Sequence, residues 1–305
     1  MAKRDLLSLK DLTTQEVLDL ISQGRTFKAQ PALSRIPLRG KTLGLLFEKA
    51  STRTRVSFEV AMDQLGGHSI FLSMEDLQLQ RGETIADTAR VLSRYLDGLV
   101  VRTFGQDTLA QWARAASIPV INGLTDLHHP CQALGDLLTL QVQFGTLEGL
   151  KLAYVGDGNN VAHSLIEGVA RVGMNISLAC PKGYGPDPAI VKAAQQEARR
   201  TGGSVELVKD PQKAASGADV LYTDVWVSMG KEREAKKRQK LLKPYQVNAK
   251  LLALAKPHAV VMHCLPAHRG QEITAEVMDG ARSIVWEQAE NRLHIQKAIL
   301  EWLLG

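Results

Sequence analysis

The sequence predicts an α/β fold of two domains, each a mainly parallel sheet flanked by helices, with one composite site at the strand ends. Three observations predict it. Apolar runs of four to eight residues alternate with amphipathic stretches along the whole chain, the pattern of parallel strands covered on both faces. The 305 residues exceed what one five-stranded sheet needs. The unusual polar residues stand directly after the apolar runs, where open α/β sheets bind ligands.

The elements follow in order. Residues 13 to 28 read as a helix, with Thr13 and Glu16 in a capping-box pattern. Residues 41 to 48, KTLGLLFE, are a buried strand feeding the turn STRTR. Ser51 or Thr52 caps the next helix, in which Phe58, Met62 and Leu65 recur on one face, and Gly66-Gly67 ends it. Strands follow at 68 to 72, 98 to 102 and 118 to 122, with helices over 84 to 95 and 109 to 116. The helix 131 to 145 reads as the connector. Strands at 150 to 156, 175 to 180, 204 to 208, 219 to 225 and 259 to 264 build the second half, and a final helix spans about 287 to 304. The expected division is 1–133 with 288–305 returning to it, and 134–287.

Composition narrows the function classes. The chain is 45% apolar and 23% charged, with no long apolar run, so no membrane segment is expected. MAKRDLLSL lacks the sustained apolar region of a signal peptide. Cys131, Cys180 and Cys264 are an odd set without paired spacing, which suggests free thiols in a reducing, cytoplasmic setting. A formal charge of +5 permits an anionic partner. Nucleic acid is not expected, because aromatics are only 5% and the basic run 231–240 is interleaved with Glu232 and Glu234 and reads as a solvated face.

Six strand-end motifs carry the chemistry. In STRTR, Ser51, Thr52, Arg53 and Thr54, with Arg55, stand at a helix start, where cations are misplaced unless an anion binds. The alternative is a capped surface helix with ordinary salt bridges. Arg102 ends an apolar strand and is either solvated or aimed into the cleft. In DLHHPCQ, Pro130 suits a first helical turn and sets His129 beside a helix start, where a neutral imidazole is favoured; Gln132 could bind an amide. VGDGNN, with Asn159 and Asn160, resembles a dinucleotide fingerprint that lacks its third glycine; nicotinamide binding is the weaker reading, and the asparagines could instead hold a polar substrate. In DVWVSMG, Asp224 suits a substrate ammonium, and Ser228-Met229-Gly230 reads as a mobile loop. In HCLPAHRG, the adjacency of His263 and Cys264 is poor geometry for one metal. A non-covalent role for Cys264 is preferred over burial, covalent catalysis and metal binding, in that order.

Together these motifs, with DTARVLSRY and WEQAENRLHIQKAIL, resemble the aspartate/ornithine carbamoyltransferase family over nearly the whole chain. STRTR is common to both branches of that family; SMG combined with HCLP points to the ornithine branch. The resemblance implies that carbamoyl phosphate is bound by Ser51, Thr52, Arg53, Thr54, Arg102, His129, Gln132, Cys264, Leu265 and Arg292. It implies that ornithine is bound by Asn160, Asp224, Ser228 and Met229. Gln78 is implied to reach a neighbouring subunit's site, with Gln80 standing where the family has a small residue. The implied assembly is a homotrimer or a multiple of trimers with shared sites. The implied reaction gives citrulline and phosphate in arginine biosynthesis. Arg102, His129, Asp224 and Cys264 are its catalytic set, and no cofactor and no metal is required. The rival readings are another amine, such as putrescine or N-acetylornithine, and a non-catalytic anion-binding assembly protein.

Overall fold

The computed structural model describes residues 3–30 and 36–305; the side chains of Asp76, Gln80 and Glu232 lie outside the described set. The chain forms two compact units, Met1–Leu138 with Glu290–Gly305, and Thr139–Ala289.

The first unit runs α1 (Thr14–Ala29), β1 (Thr42–Phe47), α2 (Thr52–Gln64), β2 (His68–Ser73), α3 (Ile85–Leu92), β3 (Gly98–Arg102), α4 (Gln106–Ala115), β4 (Val120–Leu124) and the start of α5 (Pro130–Phe144). Its sheet is parallel, in the order β2-β1-β3-β4. The local signals explain the elements. Thr13 caps α1 in a reciprocal box with Glu16. On α2 the buried residues Phe58, Ala61, Met62 and the following Leu65 lie at i, i+3, i+4 and i+7, one helix face. Each large apolar side chain buried there contributes about 1.5–3 kcal/mol. The helix ends at Gly66, whose φ of +81° is a left-handed conformation that side chains resist. Trp112, Leu109, Leu99, Val101 and Val120 form the core beside β3.

The second unit contains β5 (Lys151–Val155), α6 (Asn160–Arg171), β6 (Asn175–Ala179), α7 (Pro188–Thr201), β7 (Ser204–Val208), α8 (Pro211–Ala215), β8 (Val220–Thr223), α9 (Ala235–Leu242), α10 (Ala249–Leu252), β9 (Val260–His263) and α11 (Ala275–Met278). Its parallel sheet has the order β7-β6-β5-β8-β9. The strand predicted over 219 to 225 stops at Thr223, so Asp224 stands just beyond the ladder. The last helix, α12 (Val285–Leu304), carries Glu290–Gly305 back into the first unit. There Gly24 of α1 faces Ile295 and Leu138 so closely that a Cβ would meet Leu138 Cδ2 at 2.9 Å.

Both strand orders contain a reversal, between β1 and β3 and between β5 and β8. The crevice at such a reversal is where parallel sheets bind ligands. Ser51 follows β1 and Arg102 ends β3; Asp157 to Asn160 follow β5 and Asp224 follows β8. No described helix is long and apolar enough to cross a membrane.

Candidate active site

The first unit assembles a cationic set. Ser51 caps α2, its Oγ accepting the Thr54 N–H at 3.3 Å, so the helix start presents its N–H groups beside Thr52 and Arg53. Arg292, on α12, hydrogen-bonds through one guanidinium nitrogen to Gln132 Oε1 and through another to Thr54 Oγ1 at 3.3 Å. Gln132 donates onward to Asp136 Oδ1 at 2.9 Å. Gly135 leaves room for the arginine stem, since a Cβ there would lie 3.1 Å from Arg292 Cδ. One side chain thereby fastens the first turns of α2 and α5 to α12.

His129 lies within this set. Its pKa is held well below the ordinary imidazole value by burial first, then by the charges of Arg292, Arg102 and Arg53. A helix start alone predicts a neutral ring; the dominant causes are instead desolvation and three guanidiniums. Arg102 is 7% exposed, at the end of an interior strand, opposite Phe47 of β1 and beside an irregularity in the ladder to β4. It is therefore not a solvated edge residue.

One expectation for this unit is corrected, and one residue is added. Arg55 does not join Arg53. It pairs with Glu59 at 2.9 Å and stacks 3.8 Å from the ring centre of Phe71, because residues two apart on a helix point about 200° apart. Lys49, passed over in the sequence, is buried, ion-paired to Asp126 and 4.1 Å from the Phe104 ring centre. It ties the turn after β1 to the turn before His129. Gln78 is exposed on the short turn Gln78–Arg81, and no described contact joins it to the set.

The second unit assembles a polar circuit around Asp224. Asn159 caps α6; its Oδ1 accepts the Val161 and Ala162 N–H groups at 3.0 and 3.3 Å, which fixes the amide so that Nδ2 donates to Asp224 Oδ2 at 2.6 Å. Cys264 Sγ donates to Asp224 Oδ1 at 2.8 Å. The Tyr154 hydroxyl donates to the Asp157 carbonyl at 2.8 Å, and its ring stacks on Tyr222 at 5.8 Å. Burial, then Asp224, pushes the Tyr154 phenol well above its ordinary pKa, so it remains a donor. Asn160 is half-buried at the first position of α6, Ser228 is half-buried, and Met229 is exposed. Of the predicted ornithine residues, the described contacts tie Asp224 to Cys264. Asn159 is an asparagine that holds the carboxylate.

Asp224, His263 and Cys264 each place one ligand-type atom within 4.8 Å of the others, closer than their adjacency in sequence suggests. The donor set still does not suit a metal. His263 Nδ1 accepts the Leu265 N–H at 2.9 Å and Nε2 faces Glu272 Oε1 at 3.2 Å, so both ring nitrogens are engaged. Nε2 is also not directed at the Cys264 thiol, which removes the histidine base from a thiol-nucleophile reading. The dinucleotide reading fails on Gly158. Its N–H donates to the Tyr184 carbonyl at 2.8 Å, and a Cβ would lie 2.3 Å from Pro186 N. The close approach that a pyrophosphate needs is taken by the chain's own backbone.

The basic run is not wholly solvated. Arg238 of α9 is buried, bonded to Asp157 Oδ2 at 2.6 Å and to the Trp226 carbonyl at 3.2 Å. Burial raises the Asp157 pKa even beside this cation. A cavity of about 550 Å³ adjoins the pair, lined among others by Asn159, Tyr184 and Lys231. Nothing in the one-dimensional pattern distinguishes Arg238 from its exposed neighbours.

Comparison with known proteins follows the same division. Residues 4–142 match the family described as "Aspartate/ornithine carbamoyltransferase, carbamoyl-P binding domain", and residues 148–303 match its "Asp/Orn binding domain". An anabolic ornithine carbamoyltransferase of Pyrococcus furiosus is 52% identical over 100% of this chain and 98% of its own. The ornithine carbamoyltransferase of Gloeobacter violaceus is 57% identical over 99% and 96%. The solved Pyrococcus furiosus enzyme superposes with a TM-score of 0.97, covering 100% of this chain and 98% of that one at 53% identity. The Giardia lamblia enzyme still reaches a TM-score of 0.92, covering 100% and 99%, at 35% identity. With two parallel sheets, a polar set at each strand reversal and both family domains spanned nearly end to end, the chain belongs to the aspartate/ornithine carbamoyltransferase family.

Proposed function

We propose that the chain is an enzyme that transfers the carbamoyl group of carbamoyl phosphate to the δ-amine of L-ornithine, giving L-citrulline and phosphate. The observation that carries the reading is the gathering of Arg53, Arg102 and Arg292 around an uncharged His129. Arg102 and Arg292 are buried and Arg53 is exposed; two cations drawn out of water beside a third favour a compact dianion. The neutral ring can then polarise a carbonyl without repelling them.

In this reading Ser51, Thr52, Arg53 and Thr54 hold the phosphate at the start of α2, with Arg292. Arg102, His129 and Thr54 face the carbonyl oxygen, and Gln132 the carbamoyl amide. Asp224 orients the ornithine amine, Asn160, Ser228 and Met229 hold its amino-acid end, and Cys264 and Leu265 line the reacting centre. The amine, with an unperturbed pKa of about 10.4 as for lysine, loses one proton to solvent before attack. Nitrogen then bonds to the carbamoyl carbon, and negative charge builds on the oxygen. One oriented donor there is worth about 3 kcal/mol. The second proton passes to the phosphate oxygen as the C–O bond breaks. Cys264 acts as a protonated donor to Asp224, without a carbamoyl-enzyme intermediate.

A homotrimer or multiple of trimers is proposed, with Gln78 of one subunit completing its neighbour's site. A cytoplasmic, biosynthetic role in making arginine follows from the reading. A panel of amines with colorimetric detection of the ureido product tests it. Ornithine is the expected acceptor; a higher kcat/KM with putrescine or N-acetylornithine, or no product from any amine, would overturn the assignment.

A further inference from the structure

The cavity beside Arg238 serves no step of the proposed reaction. It measures about 550 Å³ and is walled by the turn after β5, the turn after β6, and α9 with the segment before it. That size suits a small molecule. Leu241 is the one aliphatic apolar residue among its described lining, so an apolar body finds little there to pack against.

The charges around this space do not balance. Its carboxylates, Asp157 and Glu234, are both bonded to Arg238: Nη1 reaches Asp157 Oδ2 at 2.6 Å and Nε reaches Glu234 Oε2 at 3.0 Å. The guanidinium also lies 4.9 Å from the centre of the Tyr184 ring. Lys182, Lys231 and Lys237 remain. They line the cavity from three separate segments, and all are exposed. Among the described residues, no side-chain ion pair or hydrogen bond holds any of the three ammonium groups. Like charges around one space repel, and a multivalent anion between them reverses the sign of that interaction. The wall also keeps a glycine that neither conformation nor packing explains. Gly183 has φ of +84° and is needed for its turn. Gly185 lies outside the left-handed region, and a Cβ there would meet no atom within 4 Å. Glycine at an open wall position costs entropy but lets a ligand approach the backbone closely.

The cavity is joined to the segment that carries Ser228 and Met229. Arg238 donates to the Trp226 carbonyl at 3.2 Å, and the Lys231 N–H donates to the Ser228 carbonyl at 3.0 Å. Cavity residues therefore hold that segment at both ends, with Met229 50% exposed.

We infer that this cavity binds a small polyanion, a molecule with two or more phosphate or carboxylate groups, through Lys182, Lys231 and Lys237, and that its occupancy holds residues 228–231 with Met229 exposed and so opposes ornithine binding. The second clause rests on the proposed assignment of Ser228 and Met229 to ornithine; the first does not. A ligand that favours one of two arrangements lowers the affinity for a ligand of the other.

The test uses tripolyphosphate and citrate as probes on the full-length protein and on its Lys182→Gln/Lys237→Gln variant. Both lysines are exposed, and the variant should melt with the parent. The cationic set of the first unit also attracts anions, so rates are taken at saturating carbamoyl phosphate, and the site is defined by what the double variant loses. In the parent, at least one probe should raise KM for ornithine about fivefold with kcat unchanged. By calorimetry the double variant should bind that probe on the order of tenfold more weakly. It should also lose the effect on KM, while its KM without probe stays within about twofold of the parent. An effect of tripolyphosphate alone assigns the site to phosphates, and of citrate alone to carboxylates. Equal binding and equal KM shifts in parent and double variant would overturn the inference, as would an ornithine KM that neither probe moves. Lysine-dependent binding to a parent that makes no citrulline would instead indict the proposed reaction and leave the site standing.

Discussion

Replacing Arg292 by methionine separates catalysis from stability. Arg292 is 4% exposed and donates to Thr54 and Gln132, both neutral groups. Removing it forfeits two charge-assisted bonds of about 1.5–3 kcal/mol each. It also recovers the guanidinium's desolvation penalty of several kcal/mol. The expected net destabilisation is therefore small, about 2 kcal/mol. In the proposed reaction the catalytic loss does not cancel in this way, because the missing charge, Thr54 and Gln132 are all assigned to the phosphate and carbamoyl groups. About 3 kcal/mol, or on the order of 10²-fold in kcat/KM for carbamoyl phosphate, is expected. A second signature follows from His129. Its folded pKa is lowered first by burial and next by Arg292, so deleting that cation raises it. In the proposed reaction activity needs the neutral ring and falls as pH drops through that pKa. The acid limb of kcat/KM, measured over about pH 5 to 9, should therefore move upward in Arg292→Met. Burial and two arginines remain, so the move is partial. A kcat/KM within about threefold of the parent, with superimposable acid limbs, would refute the placement of Arg292 beside both phosphate and His129.

Other perturbations probe the second unit and the fold. Asn159→Ala removes the amide that holds Asp224 and the cap of α6. KM for ornithine should rise about tenfold while thermal stability falls by about 1 kcal/mol; an unchanged KM would place Asp224 elsewhere in the reaction. Cys264→Ala should retain measurable turnover, and intact mass of the parent during turnover should show no carbamoylated thiol. Arg238→Met leaves Asp157 buried without its cation and should cost about 3–5 kcal/mol, whereas Arg238→Met with Asp157→Leu should cost less than the single change. Glu16 has its folded pKa lowered to about 2 from 4.5 by Arg4 and the Thr13 cap. Its contribution is present above the unfolded value and lost as pH falls toward the folded one. Glu16→Gln should therefore melt lower than the parent at neutral pH, with the difference closing through that acid window.

Strand and helix order was legible because it depends on local rules. Phe58, Met62 and Leu65 mark a helix face by spacing alone, and Gly66 marks its end. The strand-end polar residues were legible because an Arg102 after GLVV or an Asp224 after LYT has no local reason to be there. Contacts set by chain crossings were hidden. Arg238 looks like any residue of KKRQK; only the fold shows that it reaches Asp157, 81 positions away. Arg53 and Arg55 look alike in STRTR, yet helical phase sends one toward His129 and the other onto Phe71. Glu272 carries no signal, because neither its neighbours nor its spacing shows that it meets His263 inside the unit.

The two polar sets have opposite electrostatic character, and this constrains the reaction. The first unit collects Arg53, Arg102 and Arg292 about an uncharged imidazole, an environment that repels an ammonium and attracts a dianion. The second centres on Asp224, whose two oxygens receive neutral donors, an amide and a thiol. Its charge is therefore partnered but not cancelled, and remains available to a cation. In the proposed reaction substrates of opposite charge are sorted by these fields. Under that reading the same arrangement disfavours Cys264 as a nucleophile. Its proton is committed to a carboxylate, and a thiolate formed there would face Asp224 as a like charge. In the proposed reaction the amine meets the reverse situation: Asp224 would favour it as an ammonium, yet attack requires the neutral form. The rate should therefore rise with pH until the bound amine titrates, and an Asp224→Asn variant should move that limb downward while weakening ornithine binding. An unmoved limb in that variant would show that Asp224 does not face the amine.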